Sequence, residues 1–183
     1  MNQLTNLLLI ATVLLFSTCQ KEDPLPQSTQ TGQNTLGCLI DGKAYIPDGG
    51  KPFSGIKPVN GGFLQMYNPL RLGINVRCYS QDKKRLSLYL NNYKLGNHAL
   101  NQNPGSVPAA LYAALNPKDY GLYESSEGDV YATSSKYTGW ISLTKADTIT
   151  GVVAGTFEFQ AATLDGKTVS VTNGRFDVNV RTQ

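Results

Sequence analysis

An alternation of period two, repeated along most of the chain, limits the fold more than any other feature. Leu70, Leu72, Ile74, Val76 and Cys78 share one parity, and Arg71, Asn75, Arg77 and Tyr79 share the other. After Gln81 to Lys84, where a turn is expected, Leu86, Leu88 and Leu90 alternate with Ser87, Tyr89 and Asn91. Val153, Phe157, Phe159 and Ala161 oppose Thr156, Glu158 and Gln160, and Val169 and Val171 follow. Phe176, Val178 and Val180 then oppose Arg175, Asp177, Asn179 and Arg181. Successive side chains of a strand point to opposite faces, so each run predicts a strand with one buried face.

Asp41-Gly42, Asp165-Gly166 and Asn173-Gly174 supply the residue pairs that favour two-residue hairpin turns. The expected fold is therefore all-β, an antiparallel β-sandwich, with a β-barrel as the alternative. One segment reads two ways. Ser106 to Asn116 has helix boundary signals in Pro108 and Pro117 around an Ala-rich middle, so 107–116 is either a further strand or one short helix. With 183 residues, the chain is long enough for one domain with a sizeable core.

The N-terminus carries a different message. Leu7 to Phe16 is mostly large and apolar, about half the roughly twenty residues needed to span a bilayer. That length suits the apolar region of a secretory signal. Phe16-Ser17-Thr18-Cys19 follows and resembles a lipobox. The expected organisation is a signal peptide at 1–18, a lipidated Cys19 with a disordered tether to residue 34, and a single domain at 35–183. Acyl chains on Cys19 and on the new amino terminus would hold the protein at a membrane, since two chains anchor where one holds marginally. Gln20-Lys21-Glu22-Asp23 resembles the short signal that sends lipoproteins of Bacteroidota-type bacteria to the outer face of the outer membrane. The expected location is the cell envelope, lipid-anchored to the outer membrane and surface-exposed.

Cys38 and Cys78 remain once Cys19 is modified. Both sit on core parities, and two readings stay open in an oxidising compartment: a disulfide, or two separate buried thiols. Enzymatic chemistry is hard to assemble. His98 is the only histidine, and no G-x-S-x-G elbow or phosphate-cradling glycine loop is present. Glu124, Glu127 and Asp129 read best as a solvated acidic turn. No catalytic residue, metal or cofactor is expected. A net charge of +3 without a basic face gives nucleic acid no footing.

The aromatic residues are more informative. Tyr123, Tyr131, Tyr137 and Trp140 fall close together, and with Ile141 and Leu143 facing inward Trp140 must face outward. An outward Trp can stack on a sugar ring or a partner chain. The leading expectation is a non-enzymatic binding module for a glycan or an envelope protein. An accessory subunit of an outer-membrane assembly and a hydrolase using two carboxylates are the alternatives.

Gly155-Thr156-Phe157-Glu158-Phe159 and Thr172-Asn173-Gly174-Arg175-Phe176-Asp177-Val178, with Asn34 to Cys38 and Asp41-Gly42-Lys43, resemble an uncharacterised family of Bacteroidota-type lipoproteins. The resemblance implies a β-rich envelope domain and passes on no catalytic residue. As structure, the same residues predict a turn at Asn173-Gly174 and an outer-face pair of Arg175 and Asp177.

Overall fold

The computed structural model describes residues 24–50, 55–67, 70–104 and 118–183. The apolar run 7–16, Cys19 and the ambiguous segment 107–116 lie outside them. Eleven strands are present: β1 (Thr35–Ile40), β2 (Lys43–Tyr45), β3 (Val59–Tyr67), β4 (Leu70–Tyr79), β5 (Arg85–Leu90) and β6 (Gly96–Leu100) come first. β7 (Tyr120–Glu124), β8 (Val130–Ala132), β9 (Gly139–Asp147), β10 (Val152–Ala162) and β11 (Thr168–Asn179) follow. No helix occurs among the described residues, so the all-β antiparallel expectation holds. A sandwich would divide the strands between two sheets; here they form one sheet, in the order β2-β1-β11-β10-β8-β7-β5-β4-β3, strongly curled into a half-barrel.

Two features shape the curl. β10 gives one edge to two partners: β9 takes Val152 to Phe159, and β8 meets Ala162. β9 in turn carries β6. At the far end β3 comes back to the end of β11, where the Gly61 amide donates to Gln183 Oε1 at 2.6 Å. One core fills the concave side, and the alternating residues supply it. Val76, Cys78, Leu86, Leu88, Ile141, Val153, Phe157 and Val178 are buried there, and the Phe157 ring packs 6.2 Å from Phe176. Full burial of such a side chain contributes roughly 2–3 kcal/mol.

The turns only partly follow expectation. Asp41-Gly42 makes the two-residue turn between β1 and β2, both residues at positive φ. Asp165-Gly166 belongs to a longer loop: the Thr163 amide donates to Lys167 O and the Gly166 amide to Thr163 O, with Gly166 in the left-handed region. The same pattern closes Ser80–Lys84 and Ser125–Asp129, with Lys83 and Gly128 in the left-handed place.

Asn173-Gly174 makes no turn at all. It lies inside β11, where Phe157 pairs with Gly174 but Phe159 pairs with Val171, so Thr172 and Asn173 together oppose Glu158. This is a β-bulge with Asn173 at φ 52. One extra residue reverses the faces of a strand, which is why Val169 and Val171 share a parity that Phe176 and Val178 do not. Asn-Gly marks the left-handed conformation, and a bulge uses that conformation as readily as a hairpin.

Four other expectations are corrected. Val180 lies past the end of β11 and is exposed. Tyr89 does sit on the outer face, but it is 3% exposed, because its ring stacks on Tyr120 directly across from β5 to β7. The expected disordered tether is ordered from residue 24 onward. Leu25 is 7% exposed, and the segment lies on β1 and β11 with Asp177 as its fastening point. Asp177 is therefore no surface partner of Arg175. It is 1% exposed, and its carboxylate accepts from Thr29 Oγ1 at 2.6 Å and from the amides of Thr31, Gly32 and Gln33 at 3.0, 2.7 and 3.3 Å. The tether composition suggested too little apolar surface to order it, but a buried anion offers a chain of free amides what apolar surface does not.

Candidate functional site

Trp140 stands on the outer face of β9 and is 38% exposed, while its neighbour Ile141 is buried in the core. Across the ladder it pairs with Glu158 of β10. The β11 bulge takes the Asn173 amide out of the ladder, and that amide donates to Glu158 Oε1 at 3.1 Å. The bulge thus helps to fix the carboxylate next to the indole.

Open depressions flank Trp140 on both sides. One, of about 400 Å³, is lined by Lys136, Gln160, Ser170 and Thr172. The other, of about 440 Å³, is lined by Ser28, Thr156, Asn173 and Arg175. Ser28 comes from the N-terminal segment, so the strap fastened by Asp177 forms part of this rim. An exposed indole set among amides, hydroxyls and charged groups offers an apolar platform together with hydrogen-bonding partners of both senses. Such a surface can hold a ligand.

The other expected aromatic contacts do not gather around Trp140. Tyr123 is buried in the core, its ring 5.8 Å from that of Tyr131, and the two pair across β7 and β8. Tyr131 is half-buried and packs on the same core. Tyr137 lies in the loop before β9, half-buried, with the Lys136 ammonium 5.0 Å from its ring centre. Closeness in sequence concealed that β7 and β8 point Tyr123 and Tyr131 towards the core, whereas β9 points Trp140 away from it.

Cys38 and Cys78 are both buried and both free thiols. They sit beside Tyr45, whose hydroxyl accepts from Cys78 Sγ at 3.7 Å and from Ser80 Oγ at 3.2 Å. Burial pushes the Cys78 thiol up to about 12 and also raises Cys38, with the nearness of Cys78 adding to the second shift. Thiols held protonated in this way are poor nucleophiles and behave as small core residues. His98 lies half-buried on β6 with Nε2 2.7 Å from Lys94 O. In the acidic loop, Asp129 pairs with Lys167 at 2.8 Å, Glu124 lies 3.5 Å from Arg85, and Glu127 accepts from Ser126. No three His, Cys, Asp or Glu side chains converge on a metal-sized site among the described residues.

Residues 72–179 match the model of a protein family, a domain of unknown function (DUF6252). The chain belongs to this family. No curated protein and no solved structure matches it. The DUF6252 match begins within β4 and ends with β11, so it takes in Trp140, Glu158 and the Asn173-Gly174 bulge. The strap and β1 to β3 precede it. In this DUF6252 chain, then, the outer-face surface combines residues of the matched region with Ser28 from outside it.

Glu158, Asn173 and Arg175 were not among the ligand contacts expected from the sequence. Alternation placed Glu158 on the outer face, but only the register of β9 on β10 brings it to Trp140.

Proposed function

We propose that this DUF6252 protein is a non-enzymatic glycan-binding module of the cell envelope, held to the outer membrane by lipid on Cys19. The observation that supports the binding role is the partly exposed Trp140 between two polar depressions. An indole face covers the apolar face of a pyranose ring. Glu158, Gln160, Arg175 and Lys136 surround it with acceptors and donors for ring hydroxyls. The lipobox-like Phe16-Ser17-Thr18-Cys19 after an apolar run supports the anchor. With the strap fastened at Asp177, the reach from Cys19 to buried Leu25 is at most roughly 20 Å. The domain would then work close to the bilayer, on a short leash.

Two experiments test the two halves separately. On a glycan array, Trp140→Ala is expected to weaken any detected binding about tenfold, the equivalent of roughly 1.4 kcal/mol of lost stacking. Unchanged binding in that variant would remove the indole platform from the account. In cells fed a clickable palmitate analogue, the intact protein should take up label and sediment with membranes. Cys19→Ala should do neither, and a label that survives the substitution would end the anchor reading.

A further inference from the structure

We infer that the outer face of β4, β5 and β7 carries a second ligand site, which binds a small carboxylate-bearing sugar of the hexuronate type. A hollow of about 110 Å³ lies there, and Arg77, Tyr79, Arg85, Ser87, Tyr89 and Glu124 line it. Register puts these residues together: Arg77 faces Ser87 across β4 and β5, while Tyr79, Arg85 and Glu124 form the adjoining row. This face belongs to different strands from the Trp140 surface, and the inference does not depend on that surface.

Arg77 is the observation that points to a ligand. Its Nε is buried and has no hydrogen-bond partner, and its guanidinium makes no ion pair among the described residues. Its cross-strand neighbours, Asn60 and Ser87, are both neutral. The nearby carboxylate, Glu124, is directed to Arg85 at 3.5 Å, and Arg85 also lies over the Tyr79 ring at 5.7 Å. A buried donor on a permanent cation is costly to leave unmatched. The planar fork of an arginine matches the two oxygens of a carboxylate.

Charge and size narrow the ligand class. Glu124 at the rim opposes a phosphate dianion more than a carboxylate monoanion, since repulsion scales with the incoming charge. A hollow of about 110 Å³ is well below the few hundred Å³ of a typical drug-sized pocket, so it suits one acidic group and part of its carrier. Ser87, Tyr79 and Glu124 provide partners for adjacent hydroxyls, and Leu122 and Val130 give the wall a small apolar part that suits the C–H face of a sugar ring.

The test is a titration of the full-length protein in detergent micelles, followed by NMR, with glucuronate, glucose, acetate and inorganic phosphate as separate probes. Glucuronate is expected to bind at least about tenfold more tightly than the other three. Arg77→Gln should weaken it about tenfold, and Trp140→Ala should leave it unchanged. Arg85→Gln, at an exposed position, gives a second reading that does not risk the fold, with a loss of about threefold expected. Equal affinity for phosphate or acetate would overturn the sugar-acid assignment. Glucuronate binding that ignores both arginine substitutions would overturn the site itself. Loss of glucuronate binding in Trp140→Ala would assign the ligand to the β9–β11 surface instead.

Discussion

Replacing Asp177 with alanine is expected to lower the unfolding free energy by about 3 kcal/mol and to free residues 29–33 from the domain. The carboxylate is buried and accepts one hydroxyl and three backbone amides from a segment far away in sequence. Hydrogen bonds to a charged acceptor contribute roughly 1.5–3 kcal/mol each, though they do not add in full, and the stranded amides would have to find water. Urea denaturation reads the first effect. Hydrogen exchange at Thr31, Gly32 and Gln33 reads the second, with protection lost there before elsewhere. A loss under about 1 kcal/mol with these amides still protected would show that Asp177 does not hold the strap.

The same group gives the fold an acid-sensitive element. Burial alone would raise the Asp177 pKa, but the bonds from Thr29, Gly32, Gln33 and Thr31 outweigh it and hold the carboxyl below the usual carboxylate range. A folded-state pKa below the unfolded value, near 3.9, favours the folded state wherever the group is ionised. That stabilisation is fully present at neutral pH and persists down to about pH 4. It is lost as pH falls through the lower folded-state value. The Asp177→Ala variant should therefore show a flatter dependence of stability on pH below about 4 than the parent protein. Because Ser28 lines one depression beside Trp140, release of the strap would also remove part of that rim.

Gly139→Val is expected to cost about 3 kcal/mol or more and to disturb the Trp140 surface together with the fold. Gly139 opens β9 opposite Phe159, and an added Cβ would fall onto the Glu158 carbonyl oxygen and the Phe159 Cβ. These atoms are backbone or the root of a buried side chain in a paired strand, so they cannot swing aside as a flexible side-chain end would. Relief would require β9 to move off β10, and Trp140 is the next residue. Thermal and urea unfolding measure the loss. A variant as stable as the parent would mean that β9 does not approach β10 this closely. Gly139→Ala should show the same direction with a smaller loss.

Much of this protein could be read locally. The period of two named the inward residues of β4, β5, β10 and most of β11, and it set Trp140 outward, because side-chain direction along a strand follows from backbone geometry alone. Asp41-Gly42 likewise encodes its own turn. Where one local signal serves two structures, reading stopped short. Asn173-Gly174 specifies a left-handed residue, and pairing on both sides of β11 made it a bulge. The tether composition specifies little apolar burial, and a carboxylate more than a hundred residues away ordered it.

The candidate sites were less legible than the fold, for one physical reason. A strand's sequence determines which face each residue takes, but not what stands beside it. That depends on register and sheet order, which arise from packing of the whole core. Residue type and parity made Trp140 an outward indole; the register of β10 and the β11 bulge gave it Glu158. Parity placed Arg77 on an outer face, and only the neutral Asn60 and Ser87 on either side left it without a partner. The sequence by itself determined strands, faces and the lipobox-like start. The tertiary structure decided which distant residues meet, because the free energy that selects one register is shared among contacts that no short stretch of chain contains.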